Sequence, residues 1–179
     1  MSILKVARLG HPVLREVAKA VPVERISSPD IQRLIQDLVE TMREYGGVGL
    51  AAPQVHQSWQ ICAIEALVSS DKPGEKETPL MILINPALTT VSDGTAEDWE
   101  GCLSIPDLRG LVPRHREIRV QAYDPEGKTL NFNARDFFAR VIQHEHDHLI
   151  GKVFLDRMRT FESLTFLREF SKYWQRNEE

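Results

Sequence analysis

One segment, His144-Glu145-His146-Asp147-His148, sets five titratable side chains in a row inside a stretch that otherwise reads as a buried helix. The spacing predicts a helix from about Ala134 to Ile150, with Asn133 as N-cap, Asp136 at N3 near the positive end, and Gly151 as the left-handed residue after it. Phe137, Val141 and Ile142 make the preceding turns apolar. Buried imidazoles and a buried carboxylate need partners, so any fold of this chain has to wrap this helix and satisfy it. On a helix His144 and His148 stand at i and i+4, one turn apart on one face, where both rings reach a single metal ion. Glu145 lies about 100° round, beside the ion without being forced onto it. That is the place for a general base acting on water. A chain of this composition yields only ~0.02 such H-E-x-x-H matches by chance, so the metal reading outweighs incidental histidines on a polar face. His146 points roughly the other way and reads as partly exposed. Asp147 reads as a group that orients its neighbours or bonds a strand.

The remaining elements fit around that helix. With 179 residues the chain is read as one domain over 1–179. A helix is predicted over Pro29 to Glu44: Ser28 caps it, Pro29 costs nothing at the first position, Ile31, Leu34, Ile35, Leu38 and Met42 recur at helical spacing, and Gly46 and Gly47 end it. Trp59 to Ala66 and Leu80 to Asn85 read as strands, separated by the polar loop Lys72 to Pro79. Glu117 to Tyr123 and Lys128 to Asn133 flank Asp124-Pro-Glu-Gly127, a hairpin with suitable turn chemistry. A last helix is predicted from about Glu162 to Gln175, with Leu164, Leu167 and Phe170 on one stripe. A helix, several strands and then two helices make an α+β fold rather than a regular βαβ alternation.

Composition excludes several roles. A net charge of -4 argues against a general nucleic-acid coat. Two cysteines cannot build a disulfide framework. No run approaches the ~20 apolar residues of a membrane span, and Lys5 and Arg8 interrupt the start before a signal-peptide core could form. A cytoplasmic protein with no membrane association is expected.

Two histidines do not complete a catalytic metal site, where a third protein ligand is usual. Downstream, Asp156 and Glu162 are candidates. Upstream, Trp99-Glu100-Gly101-Cys102-Leu103-Ser104 offers a thiolate, a good ligand for a borderline metal. Taken alone, Cys102 reads as a ligand or as a buried structural thiol, and Cys62, in an apolar strand, as structural. Gly47-Val-Gly-Leu-Ala-Ala-Pro-Gln54 is either a plain helix-to-strand turn or a backbone laid against a ligand, with the Gln54 amide aimed at an oxyanion.

Gly47-Val-Gly-Leu-Ala-Ala-Pro-Gln54, Glu100-Gly-Cys-Leu-Ser104 and Gln143-His-Glu-His-Asp-His-Leu149 together resemble the three ordered motifs of peptide deformylases. Ile105-Pro106, Arg109, Val112-Pro-Arg114 and the Asp124 to Gly127 turn fit the same pattern, and the likeness runs from Leu9-Gly-His-Pro12 to at least Phe154. The resemblance implies antiparallel strands packed around a central metal-binding helix. It implies that Cys102, His144 and His148 bind one divalent metal ion, with Fe(II) the physiological choice and Zn(II), Ni(II) or Co(II) also suited to the donors. Glu145 would shuttle protons, and Gln54 and the Leu103 N–H would stabilise the oxyanion. Val48 and Gly49 would pair with the substrate, while Val141 and Phe137 line the methionine pocket. The implied reaction is hydrolysis of the N-formyl group from the first methionine of new polypeptides, releasing formate. N-formylmethionyl peptides and nascent chains would be the substrates. His146 stands where relatives often carry methionine.

Two rival readings have distinct signatures. A zincin-type peptidase would take its third ligand downstream and would not need Cys102. A structural metal module would close the site with four protein ligands. At the C-terminus Arg168, Lys172 and Arg176 form a basic row at i, i+4, i+8, which reads as an ordinary solvated face or as a contact to the ribosome through the C-terminal helix.

Overall fold

The computed structural model describes residues 2–66 and 78–175. Helix α1 spans Pro29–Glu44, as the apolar spacing predicts, with Ser28 at the N-cap position and Gly46 in the left-handed conformation (φ 64°) just beyond it. The Ser28 hydroxyl does not cap the helix; it donates to the Arg25 carbonyl instead. Strands β1 (Gly49–Ala51), β2 (Ile61–Ala66), β3 (Thr78–Thr90), β4 (Thr95–Cys102), β5 (Ile105–His115), β6 (Glu117–Tyr123) and β7 (Thr129–Arg135) follow. The chain then enters α2 (Asp136–Leu149), pairs briefly as β8 (Thr165–Phe166) and ends in α3 (Leu167–Tyr173).

Five strands form one antiparallel sheet in the order β1-β2-β3-β6-β7. Side chains alternate across it. Leu50, Ile61, Ala63, Ile82 and Ile84 face α1, packing on Ile31, Ile35, Leu38 and Met42. Ala51, Cys62, Ile64, Leu83, Ile118 and Val120 face the other way, toward Ala139, Val141, Ile142 and Leu149 of α2. Being covered on both faces explains why β2 is apolar at four successive positions, Ile61 to Ile64. The β4–β5 hairpin, with β8 along part of β5, makes a second sheet. It packs on the free side of α2, which is thus enclosed between sheets. Among the described residues no helix is long and apolar enough to cross a membrane.

Besides the Ser28 cap, three sequence expectations need correction. Asn133 does not cap α2: the β6–β7 ladder continues to Glu117↔Arg135, so Asn133 is a strand residue and Asp136, expected at N3, is the first helical one. The strand-to-helix corner holds Asp136 at a φ of 48°, with its N–H donating to the Arg116 carbonyl. The last helix begins at Leu167 rather than near Glu162, because Leu108↔Phe166 and Arg109↔Thr165 pairing keeps the preceding residues extended. Strand β3 runs on to Thr90, past an irregularity between Ile84 and Ala87 where Asn85 takes a φ of 52°. The expected loop Lys72 to Pro79 lies outside the described residues up to its last two positions, which belong to β3.

Candidate active site

The tip of the β4–β5 hairpin is a tight turn, Leu103-Ser104, closed by Cys102↔Ile105. The N-terminal segment straps it to the Gly47–Gln54 stretch: Ala7 N–H donates to the Gln54 carbonyl at 2.7 Å and Leu9 N–H to the Ser104 carbonyl at 2.8 Å. Helix α2 presents His144 and His148 to the same place. The ligand atoms of Cys102, His144 and His148 all lie within 4.8 Å of one another, and Cys102 Sγ is 3.3 Å from His148 Nε2. Cys102, 46 residues before His148, thus joins the two helix residues to make one sulfur and two nitrogens. Asp156 and Glu162, the alternative third ligands, are elsewhere: Asp156 pairs with Arg15, and Glu162 is exposed beside Thr160.

A chain of buried ions fixes the cluster from behind. Glu100 accepts Nε and Nη2 of Arg114 at 2.9 and 3.0 Å, Nη1 of Arg140 at 2.7 Å and Nδ1 of His144 at 2.9 Å. Binding His144 through Nδ1 leaves Nε2 for the cluster. Arg114 also donates to Asp147, which accepts Arg157 as well. Burial opposes ionisation of Glu100 and Asp147, but hydrogen bonds and charge from His144 and Arg114 (Glu100) and from Arg157 and Arg114 (Asp147) hold both below the usual carboxylate range. Asp147 therefore does bond a strand, and His146 is half-buried outside the cluster. Arg140 belongs to no motif in the sequence, although it stands four residues before His144 on the same helical face. A charged residue amid apolar ones was the signal available.

Burial pushes the Cys102 thiol up, yet His148 and His144 bring it well below its ordinary value, favouring the thiolate that binds cations. Burial likewise pushes His144 down, and Cys102 and Glu100 reverse that. Glu145 has no such partner. Burial raises its carboxyl to about 7, against the pull of His144 and His148. Its Oε2 is buried with no hydrogen-bond partner, as is Nδ1 of His148. The orphaned Glu145 Oε2 beside a convergent S/N/N set suits a divalent cation and its water.

Gln54 is buried; its Oε1 accepts the Ala51 N–H at 2.8 Å, and its Nε2 lies 3.2 Å from Ser104 Oγ and 3.5 Å from Cys102 Sγ. The amide N–H₂ is therefore fixed at the cluster. A Cβ on Gly49 would land inside the Glu145 carboxylate, so only glycine lets β1 run this close. Val48, Gly49, Leu103, Phe137 and Val141, all expected at the site, line one cavity of about 640 Å³ with Gln54, Cys102, His144 and Glu145. Trp99 and Leu167 line it too.

A family model described as polypeptide deformylase matches residues 3–163. The chain is 41% identical to peptide deformylase 2 of Pseudomonas syringae pv. tomato, over 92% of each chain. It is 45% identical to peptide deformylase 1 of Bordetella pertussis, over 86% of each. It also resembles the Met-Ala-Ser-bound crystal structure of a class I type b peptide deformylase from Acinetobacter baumannii, with a TM-score of 0.83 and 32% identity, covering 88% of this chain and 99% of that one.

Proposed function

The chain belongs to the polypeptide deformylase family, whose members remove the N-formyl group from the N-terminal methionine of new proteins, and from that premise we propose how its own residues do so. Cys102, His144 and His148 hold one divalent ion, and residues 1–179 work as a single catalytic domain. The observation that carries this is the convergence of the three ligand atoms within 4.8 Å, beside a buried Glu145 whose Oε2 has no partner.

When bound, the ion supplies Lewis acidity, bringing the pKa of a water toward neutral and opposing developing negative charge. Glu145 Oε2 accepts the proton of the attacking water and returns it to the leaving amine, a task suited to a buried carboxyl whose Oε2 has no other partner. Gln54 Nε2 and the Leu103 N–H donate to the oxyanion that forms at the formyl carbon. The substrate backbone adds as a strand along Val48 and Gly49, at the free edge of β1. Its methionine side chain enters the apolar space lined by Val141 and Phe137. Formate departs, and the free amine remains on the peptide.

Fe(II) is the proposed physiological ion, on the family resemblance; the donor set suits Zn(II), Ni(II) and Co(II) as well. The proposed setting is cytoplasmic, on nascent chains. A ribosome contact through the C-terminal helix is supported by the exposed Arg168 and Lys172; Arg176, the third member of the row, lies outside the described residues. Co-sedimentation that persists after Arg168→Glu and Lys172→Glu, or no ribosome binding at low salt, would refute that contact. Activity is tested on a formylated dipeptide, its acetylated twin and the unblocked peptide. The proposal expects formate from the first and no comparable cleavage of the others. A peptidase would cut an internal bond, and a structural metal module would do nothing.

A further inference from the structure

The cavity is larger than a formylated methionine requires, being of the size that holds drug-sized ligands. The mechanism above uses its Val48, Leu103, Phe137 and Val141 walls. Among the residues it leaves without a task are Trp99 and Leu167, which line the same space from the strand that carries Cys102 and from the start of α3. Trp99 precedes Glu100 on β4. Its ring meets Phe170 edge-on at 4.9 Å between centroids and lies 5.7 Å from Trp174. The pairing Leu108↔Phe166 places Leu167 directly after the last strand residue beside β5. A seven-residue helix is not stable by itself, so α3 depends on these ring contacts and this register for its position. No residue of α3 is fully buried, and Leu167 keeps part of its surface free on the cavity side.

We propose that β8 and α3 form the far wall of the substrate cleft, and that Leu167 with Trp99 makes an apolar subsite for a bulky side chain at the second or third residue of the formylated peptide. This rests on the deformylase reading of the site. The peptide enters with its methionine in the pocket on α2 and its backbone on β1, so the residues that follow pass between β1 and the β4–β5–α3 wall. Main-chain pairing to Val48 and Gly49 is indifferent to side chains; discrimination beyond methionine therefore falls to what the opposite wall presents. Leu167 and Trp99 are apolar, whereas the rim also carries Lys5, Arg8 and Arg109, so a preference for acidic residues is the competing outcome. Phe170 acts at one remove, as a positioning residue that holds Trp99 and α3 together.

The test is a substrate series on the metal-loaded enzyme: formyl-Met-Ala-Ser, formyl-Met-Leu-Ser, formyl-Met-Ala-Leu and formyl-Met-Ala-Glu. The proposal predicts that leucine at one of the two positions raises kcat/KM about five- to tenfold over the alanine–serine peptide, the scale of one partly buried apolar contact, with the gain in KM rather than kcat. Leu167→Ser should bring that ratio close to one, and Phe170→Ala should lower it in the same direction. Calorimetry with the deformylated products should show the same ratio in Kd, lost in the same variants. No leucine preference in the parent, a glutamate preference in its place, or a leucine preference that survives Leu167→Ser would overturn the subsite while leaving the deformylase reading intact. Loss of activity on every formylated peptide in the parent enzyme would instead refute that reading, and the subsite with it.

Discussion

Glu100→Gln keeps the shape of the side chain and removes one charge from the interior. In the parent, Glu100 accepts four hydrogen bonds, from Arg114 (two), Arg140 and His144. Arg114, Arg140 and Glu100 are all nearly excluded from solvent, with side chains 5–8% exposed. Asp147 shares Arg114 but has Arg157 to balance too, so it cannot replace the missing charge. The substitution leaves a buried guanidinium uncompensated and turns an amide N–H₂ toward donors. Breaking a buried pair on one side costs about 3–5 kcal/mol. For a domain of this size each kcal/mol moves Tm by roughly 2–4 °C, so the metal-free protein should melt about 6–20 °C lower. The same change frees His144 Nδ1, and loss of such a partner costs about 10–100-fold in metal affinity. Calorimetry of the metal-free protein and a competitive metal titration read the two effects separately. Asp147→Asn is the control: it should cost stability with a smaller loss of affinity, since Asp147 touches arginines and no ligand. A Tm within 2 °C of the parent together with unchanged metal affinity would refute the claim that Glu100 holds the site together.

Other consequences are equally direct. Glu145→Gln should keep its metal and lose ~10²–10⁴ in turnover; near-normal turnover would mean another group moves the proton. Gln54→Ala should lower kcat by ~10²–10³, and a change confined to KM would make Gln54 a ground-state binder. The Asp156 carboxyl is raised by burial but brought lower overall by Arg15 and the Val153 N–H, so its folded pKa lies below the ordinary 3.8. A depressed carboxylate stabilises the fold above its unfolded pKa and stops doing so as pH falls through the folded value. The Tm difference between parent and Arg15→Met should therefore be small near neutrality, because the pair is partly exposed, and should fade below about pH 4. A difference constant from pH 7 to pH 2 would assign it to packing.

Much of this fold can be read from local pattern. Helix α1 is legible because one apolar stripe, a proline at its first position and glycine after its end all agree. The β6–β7 hairpin is legible from the chemistry of its turn. The β4–β5 hairpin is not, because Pro106, Gly110 and Pro113 interrupt the strand pattern of β5. They are tolerated there because β5 has β8 on its second side only at Leu108 and Arg109. The ligand triad was legible once three motifs were taken together. Its support was not: Glu100 meets Arg114, Arg140 and His144 across 14, 40 and 44 residues of chain, and no periodicity links them. The cleft wall made by Leu167 was hidden for the same reason, since strand pairing between β5 and β8 brings it there.

The central claim is that Cys102, His144 and His148 together hold the ion. X-ray absorption at the zinc edge of protein loaded with one equivalent tests this most directly. The account predicts one sulfur at about 2.3 Å and two imidazole nitrogens at about 2.0–2.1 Å, with the sulfur absent from the spectrum of Cys102→Ala. A shell without sulfur in the parent, or one unchanged in that variant, would contradict it.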